Sequence, residues 1–218
     1  MIILEKSRAA VVQTPMKDNP GTFILNPSPA GDEASVLVTG LGRSGTTMVS
    51  RVLSALGLFM GERVSKGTNE DKDFRNIIKS GSLGKFKKLC RERDEQFKRW
   101  GFKYPAARHN LVELTAAMRS PRVVVTSRDP LATAIRTAAA TKAEVMPTFD
   151  QALRRTLRLL ASVQQLECPV LLLSYEKALT RPRDCASALA GFCGIDADEE
   201  TIEAASRKIH NGDQVYLS

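Results

Sequence analysis

The run Gly40-Leu41-Gly42-Arg43-Ser44-Gly45-Thr46-Thr47 follows four apolar or β-branched residues, Val36-Leu37-Val38-Thr39, and precedes apolar residues at helical spacing. A strand, a tight Gly-rich turn and a helix start in that order aim backbone N–H groups and a helix N-terminus at one point. That is phosphate-binding geometry. Gly40 and Gly45 have the spacing of a Walker A loop, G-x-x-x-x-G-K-[ST], yet Thr46 stands where a nucleoside-triphosphate loop carries its Lys. The positive charge lies inside the loop, on Arg43. The pattern predicts a phosphate cradle built for something other than Mg-ATP.

In parallel α/β sheets ligands sit beyond the carboxyl ends of the strands, so the residue that follows each predicted strand bears on the same site. Arg122-Val123-Val124-Val125-Thr126 leads into Ser127-Arg128-Asp129-Pro130, with Arg136 eight residues beyond Arg128. A Walker B strand would end in a Mg²⁺-holding Asp; this one ends toward a cation. Trp100-Gly101-Phe102 ends in Lys103, 25 residues before Arg128. Val170-Leu171-Leu172-Leu173-Ser174 ends in Tyr175-Glu176, and Arg207-Lys208 lies near the C-terminus.

Gly42-Arg43-Ser44-Gly45-Thr46-Thr47 resembles the 5′-phosphosulfate loop of the sulfotransferases, P-[KR]-S-G-T-T, in its bacterial R-S-G-T-[ST] form, with Gly42 where Pro is common. Arg128-Asp129-Pro130 is similar to the family's 3′-phosphate motif, an Arg with a Ser eight residues on; here that Ser position is Arg136, with Thr133 and Thr137 as neighbouring alternatives. Lys103 matches the Lys that the family places near the transferring sulfuryl group, although Tyr104 replaces the usual Asp. Tyr175-Glu176 is similar to the Y-E segment near the adenine. Arg207-Lys208-Ile209-His210-Asn211-Gly212-Asp213-Gln214 has the spacing of the R-K-G-x-x-G-D-W segment that clamps the 3′-phosphate, with Ile209 and Gln214 departing from it.

The resemblance implies a three-layer P-loop-type α/β fold, a parallel sheet flanked by helices. It also implies the donor 3′-phosphoadenosine 5′-phosphosulfate, no metal, and a small-molecule, glycan or lipid acceptor with a hydroxyl or amine. Arg43 would stabilise the leaving 5′-phosphate and Lys103 the sulfuryl oxygens, where fixed cations meet spreading charge. Glu62 ranks first as the general base, then Glu70 and His109. Two other classes stay open. One is a kinase-like phosphotransferase, against which the missing Walker Lys and Asp count. The other is a non-catalytic nucleotide-binding protein, which the departures at Arg136 and Tyr104 keep in view.

Composition bounds the rest. The 218 residues carry a net charge of +8, and aromatics make up only 6%. That balance favours an anionic small ligand over nucleic acid, whose binders interleave bases with aromatics. The basic run Lys85–Arg93 reads as a solvated helix face. No apolar run approaches the ~18 residues of a membrane span, no signal peptide is evident, and peripheral membrane contact stays open. Four Cys without metal spacing and two His read as reduced residues of a cytoplasmic protein without a metal site.

Residues 1–34, rich in Pro between 14 and 34, read as an extended arm before one domain at 35–218. The apolar patterns predict strands at 36–39, 100–103, 122–126 and 170–174. Helices are expected near 46–57, 84–98, 109–118, from 130, 148–166, 182–192 and 197–208, with an irregular polar stretch at 61–80.

Overall fold

The computed structural model describes residues 19–210. Residues 1–18 of the expected arm, and the Asn211-Gly212-Asp213-Gln214 part of the C-terminal motif, lie outside them.

The continuous apolar runs become the sheet. Strands β2 (Ala34–Gly40), β3 (Arg99–Lys103), β4 (Pro121–Ser127) and β5 (Val170–Ser174) pair in parallel, in the order β5-β4-β2-β3. Every residue of β2 is buried, as expected of a central strand covered on both faces. A fifth strand, β1 (Thr22–Leu25), adds an antiparallel edge, with Thr22 opposite Leu173 and Leu25 opposite Val170. Its four residues lie within the expected arm. They form a strand because Thr22, Phe23 and Ile24 fit a half-buried pleat, and the partner that orders them is distant in sequence.

The pleat divides the core in two. Val36, Val38, Val124, Leu171 and Leu173 face α1 (Thr46–Ala55), α8 (Pro182–Cys193) and α9 (Glu199–Ser206). Leu37, Val123, Val125 and Val170 face the other way. There they meet α2 (Lys72–Lys79), α3 (Leu83–Gln96), α4 (Leu111–Thr115) and α6 (Val145–Val163). Helix α5 (Pro130–Thr141) packs on α6, and the short α7 (Tyr175–Thr180) leaves β5 directly. The result is the expected three-layer α/β architecture with one antiparallel strand added. All four cysteines are free thiols; Cys90, Cys185 and Cys193 are buried, which pushes each thiol up to about 12.

Several boundaries differ from the pattern reading for local reasons. The stretch at 61–80 contains α2, whose Phe74, Ile77 and Ile78 carry the i, i+3, i+4 stripe within an otherwise polar sequence. The helix expected at 109–118 divides into a 3₁₀ turn, Pro105–His109, and α4. Helix α6 starts at Val145 because Pro147 lies in the first turn, where its missing N–H costs nothing.

The α2 stripe has one strong anchor. Phe74 is 1% exposed and stacks on Phe102 of β3, with ring centroids 4.1 Å apart and planes within 12°. It also stacks on Trp100 at 5.4 Å and meets Phe86 of α3 edge-on. Phe74→Ala should therefore lower unfolding free energy by about 3–5 kcal/mol, read from urea unfolding at constant m-value. A loss under about 1 kcal/mol would mean that α2 is held from elsewhere.

Candidate active site

The Gly-rich loop is fixed from below and open above. The Ser44 hydroxyl is 2% exposed; it donates to the Leu41 carbonyl at 2.7 Å and lies 2.8 Å from Thr126 Oγ1 on β4. Ser44 thus ties the loop to the neighbouring strand. Gly40 is required by the same crowding, since a Cβ there would meet Ser44 Oγ and Thr126 at 2.7 Å. Arg43 and Gly45 take left-handed backbone angles, φ 70° and 98°, and α1 starts with no side-chain cap. The first-turn amides, which have no partner inside a helix, therefore stay available at a positive helix end.

Gly42, Arg43, Gly45, Thr46 and Thr47 form one wall of a cavity of about 350 Å³. It lies at the C-terminal ends of β2, β3, β4 and β5, which deliver Arg43, Lys103, Arg128 and Tyr175 respectively. Among the described residues its lining holds six cationic side chains, Arg43, Arg51, Lys103, Arg128, Arg136 and Lys208, against one carboxylate, Glu70. Such a balance suits a ligand carrying several negative charges.

Two of these cations, Lys103 and Arg128, are held by distinct contacts. Lys103 is 2% exposed; its Nζ donates to the Thr68 carbonyl at 2.8 Å and to Glu70 Oε1 at 3.3 Å. Burial lowers the Lys103 pKa, and Glu70 opposes that shift. The Arg128 guanidinium stacks on the Tyr175 ring at 4.5 Å and reaches the Arg43 carbonyl at 3.4 Å. Asp129 caps α5 through Ala132 N–H at 2.7 Å, while its own N–H donates to Glu176 Oε1 at 2.9 Å. The Nε atoms of Arg128 and Arg136 are buried with no hydrogen-bond partner among the described residues. Two such donors beside a cavity fit an anionic occupant.

The sequence-predicted residues divide cleanly. Gly42, Arg43, Gly45, Thr46, Thr47, Lys103, Arg128, Arg136, Tyr175 and Lys208 all border the cavity. Ser44 points into the fold instead. Glu62 does not border the cavity: its carboxylate lies 3.4 Å from Arg93 and its side chain is 63% exposed. The turn at Gly61 sends it outward. His109 is exposed at the end of the 3₁₀ turn, and Arg207, also exposed, pairs with Glu203 of α9 at 3.5 Å. Neither borders the cavity. Glu70 does, placed by the Asp71 cap of α2, whose Oδ1 accepts from Asp73 and Phe74 N–H at 2.8 and 3.2 Å. Arg51, Thr68 and His210 border the cavity without having been anticipated. Of these, Arg51 was legible, one helical turn beyond Thr47 on the same face.

Among the described residues there is no group of three His, Cys, Asp or Glu that could hold a metal ion, and no helix long and apolar enough to cross a membrane.

No protein-family model and no curated protein matches the sequence. Solved structures do match. The sulfotransferase domain of the Synechococcus olefin synthase aligns over 88% of this chain and 85% of its own, with TM-score 0.62 and 15% identity. A mouse sulfotransferase complexed with PAP aligns over 86% and 70%, with TM-score 0.53 and 15% identity. A sulfotransferase from Mycobacterium tuberculosis aligns over 81% and 72%, with TM-score 0.51 and 15% identity. By this likeness of structure, a sheet flanked by helices, the chain has the sulfotransferase fold.

Proposed function

We propose that the protein is a sulfotransferase that moves a sulfuryl group from 3′-phosphoadenosine 5′-phosphosulfate to a hydroxyl or amine. The observation that carries this reading is the six-to-one excess of cations over carboxylates around a cavity floored by an uncapped helix N-terminus. The donor spreads its charge over a 5′-phosphosulfate and a 3′-phosphate, and two groups of side chains suit the two ends. The loop amides and Arg43 suit the 5′ end, as they would any phosphate. Arg128 and Arg136, each with a buried, unbonded Nε, suit the 3′-phosphate, and an Arg in place of the family's Ser adds a bidentate donor. Tyr175, which also lines the cavity, is the residue the family resemblance assigns to the adenine. The PAP bound to the mouse sulfotransferase supports the same class of ligand here.

When bound, the donor supplies a sulfuryl group whose bond to the 5′-phosphate breaks, the electron pair staying on the phosphate, as the acceptor oxygen or nitrogen bonds to sulfur. Arg43 stabilises the charge that grows on that phosphate. Lys103, held at the end of β3, meets the charge on the sulfuryl oxygens. Glu70 takes the acceptor proton. It replaces Glu62 in that role because it borders the cavity and Glu62 does not. Its partner Lys103, 3.3 Å away, orients it toward the cavity.

Adenosine 3′,5′-bisphosphate alone should stabilise the protein by roughly 2.7 kcal/mol at 100 times its dissociation constant, seen as a raised Tm without divalent metal. A shift with Mg-ATP only would support a phosphotransferase instead. The 3′-phosphate assignment is tested by Arg136→Ala. Its affinity for the bisphosphate should fall by about 1.5–3 kcal/mol, and for AMP far less; equal losses place Arg136 elsewhere. Glu70→Gln should lower kcat by on the order of 10²–10⁴ while bisphosphate affinity by calorimetry changes little. A loss of the same size in Glu62→Gln would return the base to Glu62.

A further inference from the structure

A second cavity, of about 180 Å³, adjoins the first and shares Gly42 and Arg43 with it. Arg108 from the 3₁₀ turn, Arg155 from α6, and Thr133 and Thr137 from α5 also border it, and no Asp or Glu among the described residues does. Arg108 is anchored by Nη1 donating to the Pro105 carbonyl at 3.0 Å. That turn is tied to the sheet, because Thr39 Oγ1 of β2 donates to the same carbonyl at 3.1 Å. One of the two guanidiniums is therefore fixed by the scaffold rather than by a carboxylate.

Positive side chains gather in this corner. Burial lowers the Arg108 pKa, and the nearby Arg155 lowers it further. His109 responds the same way: partial burial, then Arg108, Arg155 and Arg158, lower its pKa. The nearby ion pair of α6 joins Asp150 to Arg154 at 2.7 Å and leaves Arg155 out. Thr133 is 4% exposed, and its Oγ1 has no hydrogen-bond partner among the described residues. Like charges gathered beside a buried, unsatisfied hydroxyl are costly unless a ligand brings an anion and an acceptor oxygen.

Resting on the sulfotransferase reading, we propose that this second cavity is the acceptor site and that it selects compact acceptors carrying an anionic group as well as the hydroxyl to be sulfated. Arg108 and Arg155 hold the anion, a carboxylate or another oxyanion. The hydroxyl extends past Gly42 and Arg43, the two residues common to both cavities, into the first cavity beside Lys103 and Glu70. Its oxygen bonds to sulfur there, the sulfur–phosphate oxygen bond breaks with its electron pair left on the 5′-phosphate, and the hydroxyl proton goes to Glu70. The cavity is smaller than the ~300–1,000 Å³ of drug-sized sites, so the acceptor portion it encloses is small. Holding a group remote from the reaction fixes the attack geometry, and rejection of neutral analogues follows from leaving the two guanidiniums without an anion.

Calorimetric titration with saturating adenosine 3′,5′-bisphosphate compares two matched pairs of probes: 4-hydroxyphenylacetate with 4-hydroxyphenylacetamide, and galacturonate with galactose. The acid of at least one pair should bind about tenfold or more tightly than its neutral partner, the scale of one charge-assisted contact. In Arg108→Gln/Arg155→Gln that preference should fall to about twofold or less, with bisphosphate affinity retained. Arg155→Glu, at an exposed position, is the variant safest for folding and should reverse the preference. Equal binding of acid and neutral probes, binding of none of the four, or a preference that survives these substitutions overturns the proposal. Acid-selective binding without sulfate transfer to any bound probe leaves the anion site standing and counts against the sulfotransferase reading.

Discussion

At Gly45 the loop, β5 and β4 meet through one close approach. The backbone there takes φ 98°, and a Cβ in its place would overlap the Tyr175 ring. With only a hydrogen at that position, the ring packs directly over the start of α1, and the Arg128 guanidinium lies on the ring at 4.5 Å. A cation over an aromatic face is attracted by the ring quadrupole, so Tyr175 holds Arg128 without neutralising it. Three strand ends are thereby locked into one surface, and the charge on Arg128 stays usable. A larger residue at 45 would separate the loop from β5 and release Arg128 from its platform.

Arg128 in the first cavity and Arg108 in the second are both held without being cancelled. Arg128 leans on a ring and a backbone carbonyl, and Arg108 on the carbonyl of Pro105. Carbonyls and rings orient a guanidinium while leaving its net charge intact, whereas a carboxylate would consume it. Lys103 is the exception, and burial explains it. An ammonium 2% exposed is too costly to desolvate alone, so Glu70 and the Thr68 carbonyl share it. The acid that borders the cavity among the described residues is therefore the one that a buried Lys requires, which gives Glu70 its place.

How far the sequence was legible follows from which contacts are local. The loop, the four parallel strands and the positions of Lys103, Arg128 and Tyr175 could be read because each depends on a strand end and the residue after it. Strand β1 could not, because its partner is β5, with Phe23 opposite Leu172. The choice between Glu62 and Glu70 was likewise not local. It depends on how the chain turns between Gly61 and Asp71, where an isolated bridge pairs Val64 with Asp71 and Ser65 N–H donates to the Glu70 carbonyl at 2.9 Å. Arg155, distant from Arg108 in sequence, joins the second cavity only because α6 packs against the 3₁₀ turn.

That turn segment carries a cost that only its position explains. Asp71 is 1% exposed, and its Oδ2 has no hydrogen-bond partner among the described residues. Burial pushes its carboxyl pKa up, against the two backbone N–H bonds that favour the anion. A buried acceptor left unsatisfied costs about 1–3 kcal/mol, and Gly61 crowds the same oxygen so closely that a Cβ there would overlap it. The opposing gain is the Phe74 stack, three residues on, which fixes the first turn of α2 against β3. Cap and stack together fix the backbone next to Glu70, whose carboxylate lies 3.3 Å from Lys103. A base held at one point beside a charged cavity needs such a rigid support, and the strain at Asp71 lies one residue from the group it positions.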